Sequence, residues 1–286
     1  MKKKRWLAVA VPLALCCVLC VVYMAVFVWS ADHKPPQITM DSEELVLSVE
    51  DGAEMLLQGV GATDNKDGDV TASLVVESIS PLTQENTATV TYAAFDSAGN
   101  VAKAGRTLRY SDYTPPVLGL RGALVFREGT TPDVLSMVSA KDAVDGNISD
   151  RVKATLVSET GGLNYAGTHQ VQFRVTNSMG DTTTLTLPVD VLPASELGAT
   201  VKLSKYLVRI KCGQEFDADS YVRTASVGGT DYNLRRWSYD YVLEVNDGEV
   251  NTGVPGIYSV TYEVTVYHGG GTYAGFSRLH VIVEDA

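Results

Sequence analysis

The residues of this chain best suited to chemistry are acidic and gather in two short stretches. Asp64, Asp67 and Asp69 fall within six residues, with Gly68 between the last two, and Asp142, Asp145 and Asn147 repeat the pattern around Gly146. Clustered carboxylates and amides beside a glycine turn are the oxygen ligands that hard cations such as calcium take. The same residue types also close tight turns unaided, because Asp and Asn side chains accept hydrogen bonds from nearby backbone amides. No glutamate follows at the offset of a full calcium-binding loop. Turn chemistry is therefore the first reading of these six residues and calcium the second.

Catalytic chemistry finds no seat. His268-Gly-Gly-Gly271 matches the backbone-amide loop of esterases, but no Gly-x-Ser-x-Gly nucleophile turn accompanies it, and glycine for a hairpin turn explains it better. His33, His169 and His280 stand apart, without His-Glu-x-x-His or paired cysteines around them. No catalytic residue and no cofactor is expected, and the chain is read as a non-enzyme. Aromatics are the remaining candidates: nine of the 14 Tyr lie from Tyr206 to Tyr273, joined by Trp237. Trp237, Tyr239, Tyr241, Leu243 and Val245 share one parity against Ser238, Asp240 and Glu244, which predicts the buried face of a strand. Tyr232, Tyr267 and Tyr273 fall in predicted loops and are the candidate ligand contacts, since binding surfaces favour tyrosine.

The elements that must position these residues recur. Pro35-Pro36 returns as Pro115-Pro116 after 80 residues, Asp64 as Asp142 after 78, and Gly99 as Gly180 after 81. So constant an offset means an array of like modules. One amphipathic strand is written three times: Val90, Tyr92 and Ala94, then Val171, Phe173 and Val175, then Val260, Tyr262 and Val264, each alternating with outward-facing residues. Gly52, Gly129 and Gly213 mark a shared turn where a positive φ is expected. Short strands with turn residues every eight to twelve positions predict antiparallel β-sandwiches. Prolines at the joints, Pro115-Pro116 and Pro193, predict modules strung out rather than collapsed.

The pattern Pro35-Pro36-x-Ile38, a glycine turn, Ala62-Thr-Asp64-x-x-Asp67-Gly-Asp69-Val-Thr71 and Val90-Thr-Tyr92-x-x-x-Asp96-Ser-Ala-Gly-Asn100 resembles a bacterial immunoglobulin-like repeat. That repeat occurs in Gram-positive surface proteins and pesticidal crystal proteins and is a domain of unknown function. The resemblance covers residues 35–110 and 115–192, and in residues 197–286 it rests on Val254-Pro-Gly-Ile-Tyr-Ser-Val-Thr-Tyr262. It implies immunoglobulin-like sandwiches in tandem on a cell surface, and it implies no reaction.

Export is read from the amino terminus. Met-Lys-Lys-Lys-Arg5 precedes an uncharged stretch of 24 residues that opens at Trp6 and closes at Trp29, longer than the roughly 20 needed to cross a bilayer. Four positive charges ahead of it are expected to keep the terminus in the cytoplasm. A signal-peptide cut after Ala31 or Ser30 fits less well, with Trp29 or Val28 where a small residue is wanted. Cys16, Cys17 and Cys20 lie inside this stretch, so Cys212 is the single cysteine beyond it. The formal net charge is −11, and the four basic residues at positions 2–5 leave −15 on the rest, which argues against nucleic acid as a partner.

The expected layout is a basic tail (1–5), a transmembrane signal anchor (6–29), a linker (30–36), and immunoglobulin-like domains at 37–113, 114–193 and 194–286, the last diverged and lacking the Asp-x-x-Asp-Gly stretch. The expected function is display, spacing or adhesion at a cell surface, with the bulk extracellular and a protein or glycan ligand met by the distal domain. The alternative is an accessory subunit of a membrane or wall-associated enzyme or transport complex.

Overall fold

Runs of β-branched and aromatic residues, cut short by Gly, Asp and Pro, fold into strands because the pleated backbone seats such side chains well. A computed structural model describes residues 2–30, 32–83, 86–157 and 162–285. Met1 and Ala31, at the start of the basic tail and at one predicted cleavage point, lie outside the described residues. One helix, α1 (Lys2–Ser30), precedes the strands, and its described side chains, residues 12–26, are exposed. Among the described residues no helix is long and apolar enough to cross a membrane, so the anchor reading of residues 6–29 gains no support from them.

Two compact units follow from the contacts, Met1–Asp112 and Tyr113–Ala286. In the first, β1 (Gln37–Met40), β3 (Val60–Asp64) and β4 (Gly68–Asp69) make a three-stranded sheet in the order β1-β3-β4. β2 (Glu44–Leu47), β5 (Val75–Ile79), β6 (Thr87–Phe95) and β7 (Val101–Tyr110) make the facing sheet, ordered β2-β7-β6-β5. Ala62 from one sheet and Val90, Tyr92, Ala94 and Leu108 from the other are buried between them. Tyr92 completes this core with a polar bond, its hydroxyl donating to the Leu56 carbonyl at 2.7 Å.

The second unit repeats the plan twice. β8 (Val117–Leu120), β10 (Val138–Asp142) and β11 (Gly146–Asn147) face β9 (Val125–Arg127), β12 (Lys153–Leu156), β13 (Gly167–Thr176) and β14 (Thr182–Leu192). Next, β15 (Thr200–Leu203), β17 (Val222–Val227) and β18 (Thr230–Asn233) face β16 (Leu207–Lys211), β19 (Tyr241–Asn246), β20 (Gly256–His268) and β21 (Gly271–Glu284). Phe173 in the first of these and Tyr262 in the second occupy the place of Tyr92, and the Tyr262 hydroxyl again reaches a carbonyl, that of Ala218, at 2.7 Å.

Two expectations are corrected here. The four-stranded sheets are mixed rather than wholly antiparallel: β2 runs parallel to β7, β9 to β14 and β16 to β21. The chain crosses to the second sheet at its second strand, and its last strand then lies alongside in the same direction. Gly129 and Gly213 hold positive φ, at 76° and 81°, but Gly52 has φ −70° and caps a 3₁₀ turn.

The second and third sandwiches are also packed together rather than strung out. Ile282, with Leu207 half-buried beside it, joins the core of the second sandwich. Residues 279–283 are apolar apart from His280, so β21 carries buried side chains on both faces, as a strand covered on two sides must. Leu279, Val281 and Val283 fill the third core while Ile282 points into the second. Across the same contact Arg278 grips Asp190 with two bonds, Nε to Oδ2 at 2.6 Å and Nη2 to Oδ1 at 2.8 Å. Proline at the joint prevents strand pairing but leaves side chains free to pack, and side chains make this joint.

Candidate functional site

The acidic turns are built alike in the first two sandwiches. β3 ends at Asp64, the chain reverses through residues 65–67, and Gly68 takes φ 73°, a conformation that a Cβ would strain. Asp64 Oδ1 accepts the amides of Lys66 at 2.7 Å and Asp67 at 3.0 Å. Those amides, Asp67 first, hold its carboxyl below the usual range. Asp67 reaches across to the β6–β7 turn and accepts the Ser97 amide at 2.6 Å and its hydroxyl at 2.9 Å. Asp69 accepts the Thr71 amide at 2.9 Å and so starts the next 3₁₀ turn. Asp142, Asp145 and Asn147 repeat these bonds to Val144 and Asp145, to Ser178, and to Ser149. Arg151 adds an ion pair to Asp145 at 2.5 Å. Asp67, Asp69, Asp145 and Asn147 are thus engaged in holding the turns.

Only Asp64 of the six predicted cation ligands enters an acidic cluster, and its companions were not among them. Among the described residues, Asp32, Asp64 and Asp96 each bring one carboxylate oxygen within 4.8 Å of the others. Asp32 lies in the segment leading into β1, Asp64 ends β3, and Asp96 opens the β6–β7 turn. Asn100 braces the group: its amide N–H and its Nδ2 each donate to Asp96 at 2.7 Å. Nδ2 also reaches the carbonyls of Asp32 at 3.2 Å and Lys34 at 3.4 Å, tying the incoming segment to the turn. Asp64 and Asp96 are each 9% exposed, and Asp64 Oδ2 is buried without any hydrogen-bond partner.

The second sandwich answers the same geometry with its carboxylates paired to protein donors. Asn177 stands where Asp96 does, and its Nδ2 donates to Asp142 Oδ2 at 3.0 Å and to the Tyr113 hydroxyl at 2.9 Å. Tyr113, in the place of His33, donates in turn to Asp181 Oδ2 at 2.7 Å. Burial and the Asp181 carboxylate push the Tyr113 phenol well above its ordinary pKa. Asp142 and Asn177 are buried, and every polar atom of the group named here is paired.

The third sandwich carries the aromatic candidates. Tyr232 and Tyr273 are half-buried around His268, with the Tyr232 hydroxyl 2.6 Å from Nδ1 and Tyr273 set edge-on to the imidazole. His268 and Gly271 flank a two-residue hairpin turn whose Gly269 and Gly270 both have positive φ, the expected use of that glycine run. The loop placement of the three tyrosines is corrected: Tyr232, Tyr267 and Tyr273 lie in β18, β20 and β21, and Tyr267 is 48% exposed. The parity argument for Trp237 and Tyr239 is corrected: they precede β19 in a turn and stand 78% and 84% exposed. Tyr241, Leu243 and Val245, inside β19, do pack on the third core. The Trp237 and Tyr239 rings meet edge to face with centroids 4.2 Å apart. Ser238 and Asp240 brace their turn, and the Asp240 carbonyl accepts the Tyr267 amide at 2.7 Å.

No family model matches the chain. It is 27% identical to an uncharacterized 81.3 kDa protein of Acholeplasma phage L2 in an alignment of 207 residues, covering 62% of this chain and 28% of that protein. The chain therefore spans little more than a quarter of that relative. Similar solved structures include CBM51-2 in complex with GlcNAc and INT domains from Clostridium perfringens ZmpB, at 19% identity over 52% of this chain and 26% of that one, TM-score 0.22. They also include the protocadherin gammaB4 extracellular domain, at 12% identity over 87% and 49%, TM-score 0.20, and mouse cadherin-23 EC22–24, at 12% over 89% and 100%, TM-score 0.19.

Proposed function

We propose that this chain is a membrane-anchored extracellular protein of immunoglobulin-like repeats that displays a ligand-contacting module at a cell surface. The reading holds residues 1–5 in the cytoplasm, residues 6–29 in the bilayer and the sandwiches outside. It assigns the protein no reaction. What supports the anchor is the basic start followed by 24 uncharged residues.

The observation that carries the ligand-contact role is the Trp237–Tyr239 pair. Two large rings packed on each other, held by a braced turn and left 78% and 84% exposed, form a rigid apolar contact with polar tips. Such anchors dominate binding where they occur, and they lie on the module furthest along the chain from the anchor. The ligand contact passes from Tyr232 and Tyr273 to this pair, with Tyr267 beside it. Array binding tests the role: the full chain in detergent is expected to be retained on a glycan or extracellular-matrix protein array, and Trp237→Ala with Tyr239→Ala to abolish retention. Retention unchanged by that double substitution would reject the site. Instead, stoichiometric capture of a membrane complex with no array binding would favour the accessory-subunit role.

A further inference from the structure

We infer that Asp32, Asp64 and Asp96 bind one calcium-like divalent cation, which clamps the segment entering the first sandwich onto its β6–β7 turn. Three carboxylate oxygens lie within 4.8 Å of one another. Like charges so close, two of them on residues 9% exposed, demand a counter-charge. Lys66 supplies part of it to Asp64. Asp64 Oδ2 is nevertheless buried with no donor, and a buried acceptor left unmade carries a desolvation cost that a bound cation would remove. A cation supplies charge and contact together.

The donor set selects the kind of cation. All three side-chain ligands are carboxylate oxygens, which suits a hard ion and excludes the thiolate and imidazole preferences of zinc or copper. Calcium takes several carboxylates at once, whereas magnesium keeps most of its waters and takes one or two carboxylates rather than three.

The second sandwich is the internal control. There Asn177 replaces Asp96 and its amide satisfies Asp142 Oδ2, while Asp181, in the place of Asn100, accepts the Tyr113 hydroxyl, so both carboxylates are paired without an ion. One site per chain follows. Its position adds a purpose: Asp32 belongs to the stem, whereas Asp64 and Asp96 belong to the sandwich, so the ion would stiffen the passage between them.

Calcium titrated calorimetrically into the chelator-treated full chain in detergent should bind at one ion per chain. The dissociation constant should be on the order of 10⁻⁴–10⁻³ M, the range of extracellular modules. Hydrogen exchange at residues 32–34 and 96–100 should slow with calcium. Asp96→Asn is expected to fold, since the new amide can donate to Asp64 Oδ2 as Asn177 does to Asp142, and to weaken calcium at least about tenfold. Asp32→Ala, on the stem outside the sandwich, should weaken it likewise and serves if Asp96→Asn does not fold. No heat and no exchange protection up to about 10 mM calcium, unchanged binding in both variants, or a second equivalent ion per chain would each overturn the assignment.

Discussion

Arg278 of the third sandwich and Asp190 of the second form a two-bonded ion pair, at 2.6 and 2.8 Å, with side chains 15% and 3% exposed. Thr168 adds a third bond to the carboxylate at 2.7 Å. Removing one member of a buried pair leaves an uncompensated charge and costs about 3–5 kcal/mol, whereas apolar residues at both positions can be neutral. Arg278→Leu is therefore expected to destabilise the Tyr113–Ala286 unit strongly, and adding Asp190→Leu to recover most of the loss. Urea unfolding of the two variants, read as a double-mutant cycle, measures it.

Tyr92 and Tyr262 are fully buried, and each donates to a carbonyl at 2.7 Å, Leu56 and Ala218 respectively. Tyr92→Phe and Tyr262→Phe each orphan that carbonyl, at a cost of about 1–3 kcal/mol. The second sandwich already carries Phe173 at this position. Thermal melts of the two variants should each show a lowered transition.

His280 lies fully buried beside the joint, with neither ring nitrogen hydrogen-bonded, and burial with Arg278 nearby lowers its pKa to about 3. The unfolded chain takes up this proton near pH 6.5 and the folded chain does not. Stability from the neutral imidazole is present above pH 6.5 and is lost as pH falls toward 3, by at most about 1.4 kcal/mol per pH unit. His280→Leu should flatten that part of the stability profile between pH 6.5 and 4, as measured by urea unfolding across pH.

Trp237 and Tyr239 touch no core, so Trp237→Ala and Tyr239→Ala should each change stability by no more than about 0.5 kcal/mol. Loss of ligand retention in a variant that melts normally separates contact from folding.

Much of the fold is legible in the sequence because its signals are local. Alternation at Val90–Tyr92, Val171–Phe173 and Val260–Tyr262 marks the inner strand, and all six of these residues are buried. The Asp-x-x-Asp-Gly stretch marks a turn, which Gly68 and Gly146 complete with positive φ. Non-local facts were not legible. Asp32, Asp64 and Asp96 are 32 residues apart in each step, and the packing of the β1-β3-β4 sheet against the sheet that holds β6 and β7 brings them together. Parity misplaced Trp237 and Tyr239 because alternation holds only inside a strand, and β19 begins at Tyr241. The joint between the second and third sandwiches rests on Ile282, whose outward position looks like any β residue until the neighbouring core is present.

The most direct test of the surface-display account is protease shaving of intact cells that produce the full chain. Fragments from residues 197–286 should be released while the cell envelope stays closed, with residues 6–29 retained in the membrane fraction. Survival of residues 197–286 untouched on intact cells, with digestion only after lysis, would contradict it.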